Sequence, residues 1–357
     1  MKSFFTQNLM NWHLQENTRQ MPWKGEKDAY KIWLSEVILQ QTRVEQGLSY
    51  YNNFIHAFPT IQDLASAKDE TVFKLWEGLG YYNRCKNLLH TARYVVENLA
   101  GNFPTSYEEM IQLKGIGPYT AAAIASFAYN LPFAVVDGNV YRVLARYFGI
   151  FTATDSSEGK QLFADLANTV LDKKEPALYN QAIMDFGATI CKPFNPLCNH
   201  CVMQKHCKAY NQLAVQQLPI KEKTLVKKKR WFYYFIIECN EKIWVQKRSL
   251  KDIWENLHEF YLIESDEQIF WETELVLLWL QNQLNIQSAT IKHISSLQKQ
   301  QLTHQLIKGQ FIHIQMNEMP ELLQKKGVWI TKQTLHELAF PKYINQYYQQ
   351  QKMQELY

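Results

Sequence analysis

The sequence predicts a multidomain chain: an all-α region over residues 1–216, a basic linker at 217–229 and an α+β domain over 230–357. Three observations carry this. The 357 residues suit two or three domains of ordinary size, and 46% hydrophobic with 14% aromatic residues supplies real cores. Apolar positions recur at spacings of three and four from residue 1 to about 190, with hardly a strand-like run among them. After four closely spaced cysteines the pattern changes to alternating aromatic and β-branched runs.

The opening "MKSFFTQNLMNWHLQENTRQ" lacks a continuous apolar core and carries polar residues throughout, so it reads as an amphipathic helix with Phe4, Phe5, Leu9, Met10 and Trp12 for packing, and not as a signal peptide. No stretch has the length of a membrane span, and a soluble, cytoplasmic protein is expected. Residues 29–46 predict one helix, with Glu36 in its apolar run beside Ile32, Trp33 and Leu39. Such a carboxylate either snorkels to the helix edge, meets a basic partner, or is desolvated with its pKa raised. "FPT" at 58–60, "GLG" at 78–80 and "NFPTS" at 102–106 punctuate the helices, and "FAVV" at 133–136 is the main strand candidate.

Thr105 and Glu108 have capping-box spacing. In "LKGIGPYTA" a tight turn at Gly115 and Gly117 precedes Pro118 at a helix start, with Lys114 alongside. Free amides at such a terminus favour a phosphate, the alternative being an ordinary helical hairpin. Asp137 in "VVDGNVYR" has the position of a helix N-cap, which would also keep it ionised. Cys191, Cys198, Cys201 and Cys207 follow a C-x6-C-x2-C-x5-C pattern that can wrap one tetrahedral zinc or a four-iron cubane, and ligand type alone does not choose. Residues 217–230 set six basic residues against one acidic and read as a solvated linker compatible with DNA; the net charge of +4 permits an anionic partner without demanding one. Beyond it, 231–238 and 243–247 predict a hairpin, 266–284 an amphipathic helix, and 305–316 and 327–331 strands.

Taken together, "LSEVILQQTRV" (34–44), "GLGYYNR" (78–84), "LKGIGPYTA" (113–121), "VDGNVYR" (136–142), "NQAIMDFGATIC" (180–191) and the cysteine spacing resemble the helix-hairpin-helix DNA glycosylases, in particular the adenine DNA glycosylase branch of MutY type. The resemblance spans essentially the whole chain. It implies an all-α helix-hairpin-helix glycosylase domain with an iron–sulfur loop, followed by an α+β Nudix-like domain. It implies a monomer acting on duplex DNA in base excision repair, removing adenine paired with 8-oxoguanine or guanine. By resemblance the cysteines hold a [4Fe–4S] cluster and not zinc.

The resemblance also assigns roles. Glu36 would be the acid that protonates the extruded adenine and Asp137 the carboxylate that stabilises the sugar cation, with Tyr119 and Asn139 supporting them. Arg19, Trp23, Lys24 and Gln181 would line the adenine pocket. Gln41, Thr42, Tyr81, Lys114, Gly115 and Gly117 would contact DNA. Tyr119 stands where the endonuclease III type has a lysine, and it has no amine for a Schiff base, so strand cleavage is not expected. In the C-terminal domain Leu302, Thr303 and His304 align with a Phe-Ser-His triplet that probes 8-oxoguanine, with Leu302 lacking the ring. The catalytic Nudix box is absent, so no pyrophosphohydrolase activity is expected. The competing readings are a bifunctional glycosylase-lyase and a non-enzymatic, metal-containing DNA-binding protein.

Overall fold

In the computed structural model, which describes residues 2–222, 226–249 and 251–354, the chain divides into two compact units: residues 1–66 with 86–224, and residues 67–85 with 225–357.

The first unit is helical. Helix Lys2–Gln15 buries Phe5, Leu9 and Trp12 against Val140, Leu144, Phe163 and Phe186, while Phe4 remains 37% exposed. The single helix expected over 29–46 is two. Ala29–Leu39 is capped by Asp28, whose carboxylate accepts the Tyr30 N–H at 2.9 Å, and Val44–Ala57 follows. Between them Gln41 adopts a left-handed φ of 55°, a break that neither glycine nor proline advertises. Helix Ala29–Leu39 packs against Pro118–Tyr129, and this pairing faces Glu36 toward Tyr119.

Two local expectations shift. The capping box is Ser106 with Glu109, not Thr105 with Glu108: the Ser106 hydroxyl accepts the Glu109 N–H at 3.3 Å. Residues 133–136 form no strand; the Asn180 side chain holds them instead, donating to the Phe133 carbonyl at 2.8 Å and accepting the Val135 N–H at 3.0 Å. Of residues 217–229, Leu218 is buried, its carbonyl accepts from Arg146 at 3.0 Å, and Lys228 and Lys229 already belong to a strand.

The second unit is built on a sheet of eight strands: β1 (Lys228–Cys239), β2 (Lys242–Lys247), β3 (His258–Glu259), β4 (Tyr261–Ser265), β5 (Ala289–Ile294), β6 (Gln298–Gln301), β7 (Gln305–Met316) and β8 (Val328–Thr331). The expected hairpin is β1–β2, closed at Cys239 and Lys242. At the centre β1 runs parallel to β7 from Lys228 opposite Gln305 to Cys239 opposite Met316. Trp231, Tyr233, Phe235 and Ile237 pack on one face against Val276, Leu280 and Leu284 of helix Thr273–Leu284, which starts later than the expected 266. On the other face Tyr234 and Phe311 stack with Tyr343 and Tyr347 of helix Lys342–Gln354.

Candidate active site and four-cysteine loop

One cavity of about 1080 Å³ opens in the helical unit. Glu36, Tyr119, Asp137 and Asn139 line it. So do Arg19, Trp23, Lys24, Gln41, Thr42 and Gln181.

Glu36 is only 6% exposed. Burial pushes its carboxyl up to about 7; the Tyr119 hydroxyl bonded to it opposes the shift, and the negative charge of Asp137 adds to it. Asp137 caps helix Gly138–Phe148: one oxygen accepts the Val140 N–H at 2.8 Å and the other the Asn139 amide at 2.6 Å. Burial raises Asp137 as well, but those two donors, the Asn139 N–H and the Arg142 guanidinium pull it back. The two carboxyls therefore share desolvation and differ in donors. Glu36 has a single hydroxyl, while Asp137 has several N–H groups, a helix terminus and a cation, so Glu36 is the better placed of the two to hold a proton. Arg142 also donates to the Asn139 side-chain oxygen at 2.8 Å and the Gly187 carbonyl at 2.7 Å. A Cβ on Gly187 would meet the Asn139 Cβ at 2.6 Å, so glycine is what lets helix Pro176–Thr189 approach this corner.

The opposite wall is organised by Asp185, which sequence reasoning missed. Its side chain is fully buried and accepts from Asn17 at 2.8 Å, Arg19 at 2.9 Å, Gln181 at 3.0 Å and Lys24 at 3.3 Å. Lys24 also donates to the Arg19 carbonyl at 2.9 Å, so two of its three donors are already engaged. The cue was available: an acid inside the apolar run "AIMDFGA", as for Glu36.

The glycine hairpin lies apart from this lining. Gly115 has φ 80°, and a Cβ there would strike Asn87 at 2.6 Å. Gly117 is the open N-cap of Pro118–Tyr129, where a Cβ would meet nothing within 4 Å. The Thr91 hydroxyl secures the Lys114 carbonyl at 2.7 Å, and Lys114, Gly115 and Gly117 are exposed. The amides of Gly115 and Gly117 donate to no backbone carbonyl among the described residues.

All four cysteines of the C-x6-C-x2-C-x5-C pattern line one small hollow, together with Arg146. Arg146 is buried, lies 3.4 Å from the Cys191 sulfur and donates to the Lys192 carbonyl at 2.7 Å. Burial raises the Cys198, Cys201 and Cys207 thiols, the negative charge of Cys191 adds to it at each, and the Arg146 guanidinium opposes it at Cys198. No group of three or more His, Cys, Asp or Glu among the described residues closes to the spacing of a single-ion site.

Leu302, Thr303 and His304 form the turn between β6 and β7 in the second unit, closed by the Leu302 N–H to Gln305 at 2.8 Å. Thr303 and His304 are exposed and Leu302 is half-buried. Tyr81, of the same unit, has φ 51°, is 41% exposed and exchanges a hydroxyl hydrogen bond with Thr303.

Comparison with known proteins accounts for both units. The family model described as HhH-GPD superfamily base excision DNA repair protein matches residues 34–168, and a NUDIX domain model matches 233–350. Adenine DNA glycosylase of Buchnera aphidicola subsp. Schizaphis graminum is 34% identical over 95% of this chain and 96% of its own length. The Rattus norvegicus adenine DNA glycosylase is 44% identical over 60% of this chain and 43% of its own. Among solved structures, a thermostable thymine-DNA glycosylase aligns with 59% of this chain and 97% of its own at TM-score 0.55 and 28% identity. An endonuclease III–DNA complex covers 59% of this chain and 95% of its own at TM-score 0.51; at 18% identity it shares the fold. A helical base excision repair fold, a Nudix-like sheet and relatives similar from end to end have one reading: this DNA glycosylase belongs to the adenine DNA glycosylase family.

Proposed function

We propose that the chain is a monofunctional glycosylase that removes adenine from duplex DNA where it is paired with 8-oxoguanine or guanine. The observation that supports this most is Glu36, a carboxyl on the cavity wall, 6% exposed and pushed up to about 7. It can hold a proton at neutral pH and release it to a base.

Adenine must leave the duplex to enter the 1080 Å³ cavity. Glu36 gives its proton to N7, the C1′–N9 bond breaks with its electron pair going to the base, and adenine departs neutral. The deoxyribose is left with oxocarbenium character, which the ionised Asp137, held by Val140 and Asn139, stabilises until water adds at C1′ and passes its proton to the Glu36 carboxylate left by the first step. Tyr119 has no amine to form a Schiff base, so the product is an abasic site on an intact strand. Arg19 and Gln181, fixed by Asp185, form the polar wall for the base edge. The exposed hairpin at Lys114, Gly115 and Gly117 offers open amides to a DNA phosphate, and Gln41, Thr42 and Tyr81 contact the bases beside the vacated position. Thr303 and His304 read the base opposite the adenine.

The cysteine loop fits a [4Fe–4S] cluster. Four thiols share a hollow, and the buried Arg146 guanidinium reaches the Cys191 sulfur at 3.4 Å, a cation that suits thiolates around an anionic cluster. Cys191, Cys198, Cys201 and Cys207 would hold it. Its contribution when bound is to tie the loop together; the bond cleavage above needs only the side chains named.

The test is incubation of the purified protein with duplexes carrying adenine opposite 8-oxoguanine, adenine opposite guanine, and thymine glycol. Release of free adenine from the first two, without strand breakage until alkali is added, is expected. Cleavage at thymine glycol, or borohydride trapping of a protein–DNA adduct, would assign the bifunctional activity instead.

A further inference from the structure

The strand register of the second unit gathers lysines from three different strands onto one patch of the sheet. In adjacent strands, partnered residues point to the same face. Lys299 of β6 lies opposite Lys308 of β7, and Lys308 lies beside Trp231 of β1. The next row on that face is Gln301, Leu306 and Lys229. Lys229 and Lys299 are exposed, Lys308 is half-buried, and no carboxylate pairs with any of the three among the described residues. Lys308 is also held in place, its ammonium 5.3 Å from the centre of the Trp231 ring.

The opposite face behaves otherwise. There Arg230 is saturated by Asp252 and Glu264, each at 2.6 Å. So the cation on one side of β1 is neutralised by carboxylates, while the lysines of β1, β6 and β7 on the other side have no carboxylate partner among the described residues. Uncompensated cations on an ordered sheet, spaced by strand geometry and not by a flexible tail, match a regular array of anions. Residues two apart on a strand are about 6.6 Å apart and neighbouring strands about 4.8 Å, the scale on which phosphates repeat along a nucleic-acid backbone. The patch also abuts the base-reading turn: the Lys228 N–H bonds the His304 carbonyl at 3.0 Å, so the strand carrying Lys229 starts where that turn ends.

We infer that Lys229, Lys299 and Lys308 form a phosphate-binding face of the C-terminal unit that grips the DNA backbone next to the base read by Thr303 and His304. The inference rests on the reading of residues 302–304 given above. The grip is sequence-independent and adds affinity without taking part in bond cleavage.

The experiment measures binding of the full-length protein to a duplex carrying a non-cleavable adenine analogue opposite 8-oxoguanine, by fluorescence anisotropy over a range of salt concentrations. Each phosphate contact contributes about 0.9 to the slope of log affinity against log salt. The triple variant Lys229→Ala, Lys299→Ala, Lys308→Ala should lose about 2–3 from that slope. Its excision rate at saturating enzyme should match wild type, which also shows that it is folded. The triple variant to arginine should keep the slope, since the charge is kept. As a control, Lys242→Ala, Lys325→Ala, Lys326→Ala removes three exposed lysines elsewhere on the unit and should leave the slope within about 0.5 of wild type. An unchanged slope in the first variant, or an equal loss in the control, overturns the phosphate-binding face. A wild-type protein that binds but shows no preference for 8-oxoguanine over guanine would instead overturn the reading of the 302–304 turn.

Discussion

Glu36 in the helical unit and Asp252 in the C-terminal unit are both carboxylates drawn out of bulk water, and they lie on opposite sides of the ordinary carboxylate range. At Asp252 burial works to raise the pKa, but hydrogen bonds from Arg230, the Ile253 N–H and Arg248 overcome it and hold the group well below its usual value. At Glu36 burial meets one tyrosine hydroxyl, and the carboxyl is pushed up to about 7. The C-terminal unit pairs its acids: Arg248, 2% exposed, bridges Asp252 at 2.8 Å and Glu259 at 2.8 Å, and at the more deeply buried Glu259 burial still raises the carboxyl against that partner. The helical unit pairs Asp185 with Arg19 and Lys24 and gives Glu36 no cation. A buried acid supplied with several N–H donors or a guanidinium is favoured in its charged form, whereas one matched only by a hydroxyl can hold a proton at neutral pH.

The largest consequence concerns Glu36 itself. Glu36→Gln should lower single-turnover excision by about 100- to 10,000-fold, the range of a lost general acid, while duplex binding persists. Asp137→Asn should cost about 100- to 1,000-fold, because an amide does not offset a developing cation. Retention of more than a tenth of the wild-type rate by either variant would erase the distinction drawn between the two acids.

For the paired acids the damage should appear in stability instead. Arg248→Ala leaves Glu259 buried without its cation and should cost about 3–5 kcal/mol in urea unfolding of the C-terminal unit. A cost under about 1 kcal/mol would mean that the pairing is not what allows these acids to be buried.

A third effect is smaller and has a definite sign. The folded protein holds the Glu36 proton up to about 7 and the unfolded chain only to about 4.5, so between those values the folded state binds more protons and stability falls as pH rises. Above the window the loss levels off at about 3 kcal/mol. Glu36→Gln should therefore stabilise the protein at mildly alkaline pH and change little near pH 4. Equal melting shifts at both would point to packing, not desolvation.

The smallest effect belongs to the β6–β7 turn. Thr303→Ala with His304→Ala should narrow the preference for 8-oxoguanine over guanine by about 1–3 kcal/mol, the scale of base-edge contacts, with the lower end expected because Leu302 lacks a ring. Single-turnover rates on the two mispairs provide the check.

How much of this was legible in the sequence follows from the range of the forces involved. Glu36 could be singled out because helical spacing places its neighbours without knowledge of the fold, and Pro118, Asp137 and the β1–β2 hairpin are set by residues a few positions apart. The break at Gln40–Arg43 was not legible: Gln41 takes a left-handed φ without a glycine, a cost the surrounding packing must impose. Asp185 was missed because its meaning lies in Asn17, Arg19 and Lys24, more than 160 positions away. Residues 133–136 have strand composition, but the Asn180 side chain takes the hydrogen bonds a partner strand would have supplied. The parallel pairing of β1 with β7, which assembles the lysine face, likewise joins segments some 70 residues apart that carry no mark of each other.

The most direct measurement is the pH dependence of single-turnover adenine excision opposite 8-oxoguanine, by wild type and by Glu36→Gln. If Glu36 delivers the proton, the wild-type rate holds on the acid side of its pKa and falls by about tenfold per pH unit above it, from near pH 7 or somewhat higher once DNA is bound. The Glu36→Gln protein should stay at its low residual rate throughout, without that descending limb. A wild-type rate that rises across the same range, or a Glu36→Gln protein with the same descending limb, would show that the proton comes from elsewhere.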